Sequence, residues 1–203
     1  MSGIRHIVFD IGKVLVHYDP EIPYRRLIPD EERRRWFLAN VCTPAWNIEQ
    51  DRGRRWTDAE ALLIADYPDE ADNIRGFRRY WHEMVPHPHD GSVALLEGLI
   101  KRGRDVTLLT NAASDTFAEM RERFAFLKKP RGATVSGDVG LIKPERAIYD
   151  HHAATFELEP PATILIDDNP HNVDGAKAAG WHAVRFTDAV TLAEHLRSFG
   201  VEA

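Results

Sequence analysis

A doubly wound α/β fold, interrupted after its first strand by a helical insertion, is what this sequence predicts, and three observations lead there. From residue 90 onward, short apolar runs alternate with amphipathic helical stretches, the order that builds a parallel sheet. The best-formed runs stop at polar residues: Asp10, Thr110 and Asp167. Residues 20 to 89 differ, being helical in pattern and holding four of the five tryptophans, Trp36, Trp46, Trp56 and Trp81.

Taken in order, Ile4 to Phe9 is a β-branched run that ends at Asp10 and reads as a buried strand. In the insertion, Glu31 to Asn40 is a charged amphipathic helix, Asp58 to Asp66 follows a capping box of Thr57 and Glu60, and Glu70 to Val85 is a third helix. Asp90 to Arg102 reads as a helix closed by Gly103, and Asp105 to Thr110 as the strand after it. Next come a helix at about 115 to 125, a short strand near 133 to 136, and a helix opened by Pro144, since proline suits the first helical position. The strand Thr163 to Ile166 precedes a helix from Pro170 to Ala179, with Asn169 as its N-cap and Gly180 as its stop. The strand Ala183 to Phe186 and a helix begun by the capping box of Thr191 and Glu194 complete the order. The catalytic core is therefore expected at 1 to 17 and 90 to 203, and a helical cap at 18 to 89.

Composition narrows the function. The chain has 203 residues, 43% of them hydrophobic, enough for one domain or one and a half with a real core. Lysine and arginine number 26 against 32 acidic residues, a net charge of −6, which argues against a nucleic-acid partner. Arginine clusters at 33 to 35, 52 to 55 and 75 to 79 do not reverse this. Between residues 20 and 90, 11 basic side chains face 14 acidic ones, so the clusters read as solvated helix faces. Cys42 is the only cysteine, which excludes an intrachain disulfide and any cysteine-built metal site and points to a buried thiol in a reducing, cytoplasmic setting. No run approaches the roughly 18 apolar residues of a membrane span, and no secretory pattern opens the chain, so no membrane partner is expected.

In an open α/β sheet, ligands bind outside the carboxyl ends of the strands. Asp10, Thr110, Asn111, Lys143, Asp167 and Asp168 fall there. Three carboxylates, a hydroxyl and a lysine converging at one sheet edge exceed what stability requires. A hard divalent cation would balance the carboxylates, and magnesium suits such oxygen ligands. Asp10 could then attack phosphorus as a carboxylate nucleophile, with Lys143 neutralising phosphate charge and Thr110 bonding its oxygens.

The segments FDIGKVLV (9 to 16), LLTN (108 to 111), GLIKPERAIYD (140 to 150) and ILIDDNPHNVDGA (164 to 176) resemble the four motifs of the haloacid dehalogenase-like hydrolase superfamily. Together, in the family's order and with the insertion where its cap belongs, they cover nearly the whole chain. The resemblance implies a Rossmann-like core and an aspartyl intermediate on Asp10. It also implies catalytic roles for Thr110 and Lys143, phosphate binding by Thr110, Asn111 and Lys143, and magnesium at Asp10, Asp167, Asp168 and the Gly12 carbonyl. The expected activity is hydrolysis of a small phosphorylated metabolite, and the nearest subgroup is that of bacterial sugar-phosphate phosphatases with Asp-x-Gly in motif one.

One position departs from the family's phosphatases. Their second residue after the nucleophile is usually an aspartate that protonates the leaving oxygen, and here it is Gly12. General acid catalysis contributes about 10² to 10⁴ in rate. Either the leaving group departs with little help, as at a sugar anomeric carbon, or His17, Asp19 or a cap residue supplies the proton. For Asp19, a turn or cap at Asp19-Pro20 competes with that role. The superfamily's 2-haloacid dehalogenases also lack the second aspartate and do without metal, which keeps carbon–halogen hydrolysis open as an alternative. The acidic pair Asp167 and Asp168 favours phosphate, because such charge beside Asp10 would be costly without a cation. A scaffold that binds but no longer turns over is the third reading.

Other polar residues carry less. His87, His89, His151 and His152 read as scattered surface histidines, Tyr149 as a packing residue, and Asn172 and Asp174 as parts of the resemblance without a role. No P-loop, dinucleotide or serine-hydrolase motif occurs.

Overall fold

The computed structural model describes residues 3–202. A five-stranded, wholly parallel sheet comprises β1 (His6–Phe9), β2 (Asp105–Thr110), β3 (Ala133–Val135), β4 (Thr163–Asp167) and β5 (His182–Arg185), in the order β3-β2-β1-β4-β5. The direction of winding reverses beside β1, so the carboxyl ends of β2, β1 and β4 open onto one crevice. Register does the rest. Phe9 lies opposite both Leu108 and Ile166, so Asp10, one step beyond, comes level with the ends of both neighbours.

The sheet is apolar on both faces, which is why its strands read as unbroken apolar runs. Ile7, Phe9, Leu108 and Ile166 pack into a large core on one side, while Val8, Leu109 and Leu165 pack with Ile148, Tyr149 and Trp181 on the other.

Between β1 and β2 the chain forms α1 (Glu21–Leu27), α2 (Glu31–Asn40), α3 (Pro44–Asp51), α4 (Trp56–Asp66), α5 (Ala71–Arg79), α6 (Trp81–Met84) and α7 (Asp90–Lys101). Helix α2 has its predicted bounds and is capped by Asp30. Helices α1 and α3 were not anticipated from the sequence. For α3 a local signal exists: the Thr43 hydroxyl accepts from the Trp46 N–H at 3.0 Å, with Pro44 at the first helical position. The expected capping box of Thr57 and Glu60 does not form, because α4 has already begun at Trp56. The helix expected over Glu70 to Val85 breaks at Tyr80, whose dihedrals (φ −107°, ψ 17°) end α5 and reorient α6.

The remaining helices are α8 (Ser114–Arg123), α9 (Ser136–Val139), α10 (Arg146–Thr155), α11 (Pro170–Ala178) and α12 (Ala189–Ser198). Pro144 does not open α10. Lys143 is held by Asn111 and Glu145 is extended, so the helix starts two residues later, at Arg146. Asn169 caps α11 as predicted. Helix α12 is capped by Asp188, which accepts from the N–H groups of Val190 and Thr191, and Thr191 thus sits inside the first turn instead of before it.

The two passages between the sheet and the helical segment run side by side. Val16 bridges Pro88, the His17 N–H donates to the His87 carbonyl at 3.0 Å, and the His89 N–H to the Leu15 carbonyl at 2.8 Å. The ring of His17 lies 4.0 Å from that of His87 and 3.8 Å from that of His89, both pairs tilted, so these histidines are clustered and not scattered. His152 departs further from the surface position expected of it. It is fully buried, bonded to Thr107 at 2.9 Å and Thr134 at 2.8 Å, and it pins α10 to β2 and β3. The arginine clusters are also engaged: Arg34 is buried on the Ile28 and Pro29 carbonyls, and Arg78 pairs with Asp115 and Glu119 of α8. Cys42 is buried and free. Among the described residues no helix is long and apolar enough to cross a membrane.

Candidate active site

Lys143 is the centre of the crevice. Its ammonium lies 2.9 Å from Asp10 Oδ1 and 2.6 Å from Asp167 Oδ2, and donates to the Leu109 carbonyl at 2.9 Å. Lys143 is 2% exposed and Asp167 fully buried, so this is an ion cluster in a low-dielectric interior. Burial opposes the charged ammonium, yet the two carboxylates outweigh it and hold the Lys143 pKa above its ordinary value.

The carboxylates are held from their own strand ends. Asp10 accepts the Ile11 N–H at 2.7 Å. Asp167 Oδ1 accepts the Asn169 N–H at 2.9 Å and the Asn172 amide at 3.0 Å, which gives Asn172, left without a role by its sequence position, the task of fixing Asp167. Tyr149 in turn donates to the Asn172 carbonyl at 2.8 Å. Burial, reinforced by Asp167, raises the Asp10 pKa against the pull of Lys143, and burial with Asp167 raises that of Asp168.

Oxygen atoms of Asp10, Asp167 and Asp168 lie within 4.8 Å of one another, the one such carboxylate or histidine group among the described residues that could hold a metal ion. Hard oxygen donors of this kind fit magnesium. Three carboxylates against the buried ammonium of Lys143 and the exposed one of Lys13, which acts on Asp168, still leave a negative excess for a cation to neutralise.

The other predicted residues converge on the same place. Thr110 is buried at the end of β2 and, with Gly12 and Asn111, lines a cavity of about 110 Å³ beside the cluster. Both polar atoms of the Asn111 side chain are committed to the Lys143 backbone, donating to its carbonyl at 3.0 Å and accepting its N–H at 2.9 Å, so Asn111 brackets the lysine loop. Helix α11 fits against that loop because residue 175 is glycine: a Cβ there would stand 2.6 Å from the Pro144 carbonyl oxygen. At Gly12 the reverse holds, since a Cβ would meet nothing within 4 Å.

Of the proton donors suggested by sequence, Asp19 is occupied by the Glu21 N–H at 2.8 Å and by Arg25. His17 is exposed in its histidine cluster and does not line the cavity. The helical segment instead contributes Tyr18, Asn47 and Asp51 to the cavity wall. None was singled out from the sequence. Asn47 and Asp51 share one face of a helix by their i,i+4 spacing, but which face meets the crevice depends on how α3 docks.

A family model for haloacid dehalogenase-like hydrolases matches residues 4–180. A sesquiterpene phosphatase of Aspergillus oryzae is 28% identical over 110 residues, 54% of this chain and 56% of that protein. A phosphoserine phosphatase of Thermus thermophilus is 30% identical over 92 residues, 45% of this chain and 37% of that one. The chain thus spans about half or less of the length of the curated relatives it matches. Among solved structures, the magnesium complex of a HAD family enzyme from Bacteroides thetaiotaomicron superposes with a TM-score of 0.74 at 17% identity, covering 97% of this chain and 100% of that one. The L-2-haloacid dehalogenase of Xanthobacter autotrophicus with chloropropionic acid covalently bound gives 0.65 at 17% identity, covering 98% and 85%. At such identities the agreement is one of fold.

Proposed function

The chain belongs to the haloacid dehalogenase-like hydrolases, and from that premise we propose that it is a magnesium-dependent phosphomonoesterase for a small phosphorylated metabolite. Residues 18 to 89 act as the cap in this reading, over a core of 1 to 17 and 90 to 203.

One observation carries the choice of phosphate over halide: Asp10 and Asp167 share the ammonium of Lys143, and Asp168 brings a third carboxylate within 4.8 Å of them. A dehalogenase needs no cation, and for it this excess of buried negative charge would be a pure cost. A phosphatase uses it to hold magnesium. The two relatives named as phosphatases support the same choice.

In this reading Asp10, Asp167, Asp168 and the carbonyl of Gly12 hold the ion, which when bound neutralises phosphate charge. Asp10 supplies the carboxylate that attacks phosphorus, an acyl phosphate forms on it, and water hydrolyses that intermediate. Lys143 holds Asp10 in position and offers positive charge to the phosphoryl oxygens, and Thr110 offers a hydroxyl from the cavity wall. The cavity beside Gly12, about 110 Å³, adjoins one of about 480 Å³ through the shared residues Tyr18 and Asn47, room suited to a small metabolite such as a sugar 1-phosphate.

The test is phosphate release from p-nitrophenyl phosphate and a panel of sugar 1-phosphates, with magnesium and with EDTA. Release that requires magnesium is the expected result. No release from any of them overturns the proposal, as does halide release from a short 2-haloacid that persists in EDTA.

A further inference from the structure

Gly12 leaves motif one without a proton donor, and the cavity it lines shows where another stands. Two titratable side chains line that cavity, Tyr18 and Asp51. Asp51 is the last residue of α3 and is seated firmly on the core. The Ser136 hydroxyl donates to its main-chain carbonyl at 2.5 Å, and the Ala113 N–H acts on its carboxyl from the start of α8. Asn47, one helical turn earlier, donates to Asp51 Oδ2 at 3.1 Å, while its own Oδ1 is buried without a partner. A buried acceptor left open in this way costs free energy unless something fills it. A hydroxyl on a bound ligand would do so, which makes this wall a place for the alcohol half of an ester.

Resting on the phosphomonoesterase reading, we infer that Asp51 is a catalytic residue, the general acid that protonates the leaving oxygen, with Asn47 positioning its carboxyl. The step balances as follows. As Asp10 Oδ bonds to phosphorus, the ester P–O bond breaks with its electron pair on the alcohol oxygen, which takes the proton from Asp51 and departs as neutral alcohol. Water then attacks phosphorus, its proton passes to the Asp51 carboxylate, and the bond from Asp10 to phosphorus breaks to release phosphate.

The surroundings suit that task. Burial pushes the Asp51 carboxyl up to about 7 against the Ala113 N–H, so the acid keeps its proton near neutrality. Tyr18, the facing titratable group, is driven upward by burial with help from Asp51 and Asp19, which makes it a poor donor. The neighbouring arginines are turned elsewhere: Arg52 pairs with Glu145 and Glu49, and Arg54 with Gln50 and the Trp46 carbonyl.

The experiment compares two ring-matched substrates, p-nitrophenyl phosphate and phenyl phosphate, the second having the poorer leaving group. Asp51→Asn keeps an acceptor for the Ala113 N–H and Asn47 and should fold. Its kcat/KM is expected to fall by about 10² or more on phenyl phosphate and at least tenfold less on p-nitrophenyl phosphate, at the low end of general-acid contributions. Adding Gly12→Asp to Asp51→Asn should recover turnover of phenyl phosphate, an effect that a structural role for Asp51 would not give. Independently of any variant, the wild-type rate on phenyl phosphate should decline above about pH 7 more steeply than that on p-nitrophenyl phosphate, as a required acid loses its proton. Equal losses on both substrates in Asp51→Asn, or matching pH profiles in the wild type, overturn the inference while leaving the phosphatase reading intact. Wild-type inactivity toward p-nitrophenyl phosphate, phenyl phosphate and the whole panel of sugar 1-phosphates would remove that reading, and this inference with it.

Discussion

Replacing Lys143 by methionine is the sharpest test of the buried ion cluster. The ammonium stands 2.6 Å from Asp167 and 2.9 Å from Asp10. At an effective dielectric of about 20, each contact is worth roughly 6 kcal/mol in gross Coulomb energy. Desolvation of the three groups cancels much of this, but removing one partner strands the others in the interior and costs about 3–5 kcal/mol net. For a chain of this size each kcal/mol moves the midpoint by about 2–4 °C, so Lys143→Met should lower Tm by about 6–20 °C in EDTA at pH 8. The sign of the pH dependence follows from Asp10. Its folded pKa lies above that of the unfolded chain, so the native state binds the extra proton, and stability from this group is present at low pH and lost as pH rises through the folded value. Without Lys143 that pKa climbs further. The deficit of the variant should therefore shrink at pH 5 and shrink again on adding magnesium at pH 8. Thermal unfolding followed by circular dichroism measures all of this. A deficit below about 2 °C at pH 8, or one that grows on acidification, would refute the picture of two carboxylates held apart from water by one ammonium.

Other outcomes follow from the same geometry. Asp10→Asn should lose more than about 10³ of the phosphatase rate, as removal of a nucleophile does, yet hold or raise Tm at pH 8, because a buried carboxylate with an elevated pKa gives way to a neutral amide; phosphate release and thermal unfolding check the two halves. Burial pulls His152 down to about 3, so the unfolded chain takes up a proton that the native state refuses. Stability from this residue is complete above about pH 6.5 and falls as pH drops below it, by about 1.4 kcal/mol per unit. Asp10 and Asp51, both raised by burial, gain stability over the same interval in any variant that keeps them, so the effect is read as a difference: between pH 6.5 and pH 5 urea titrations should show the wild type losing roughly 2 kcal/mol relative to His152→Gln.

The parts of the molecule most legible in the sequence were those governed by short-range rules. Apolar runs ending in aspartate or threonine gave the strands, and strand register made Asp10 and Asp167 neighbours, so the cluster was foreseeable from strand ends alone. Asn169 was readable because a cap acts within its own turn. Thr57 and Thr191 misled for the same local reason: each offers a capping pattern, but Arg55 and Asp188 had already started those helices. His152 and Asp51 lay beyond such reasoning. What surrounds His152 comes from Thr107 and Thr134, on two strands distant in sequence, and what gives Asp51 its setting is the docking of α3 on residues 113 and 136.

The paired passages at residues 15 to 17 and 87 to 89 bear on how a substrate gets in. A single connecting strand would leave the helical segment free to swivel about any axis. Two strands tied by main-chain bonds, Val16 against Pro88, His17 to His87 and His89 to Leu15, bend far more readily than they shear. Any movement of the helical segment against the sheet would thus be guided toward a door-like swing, one that brings residues 47–51 back to the same side of Asp10.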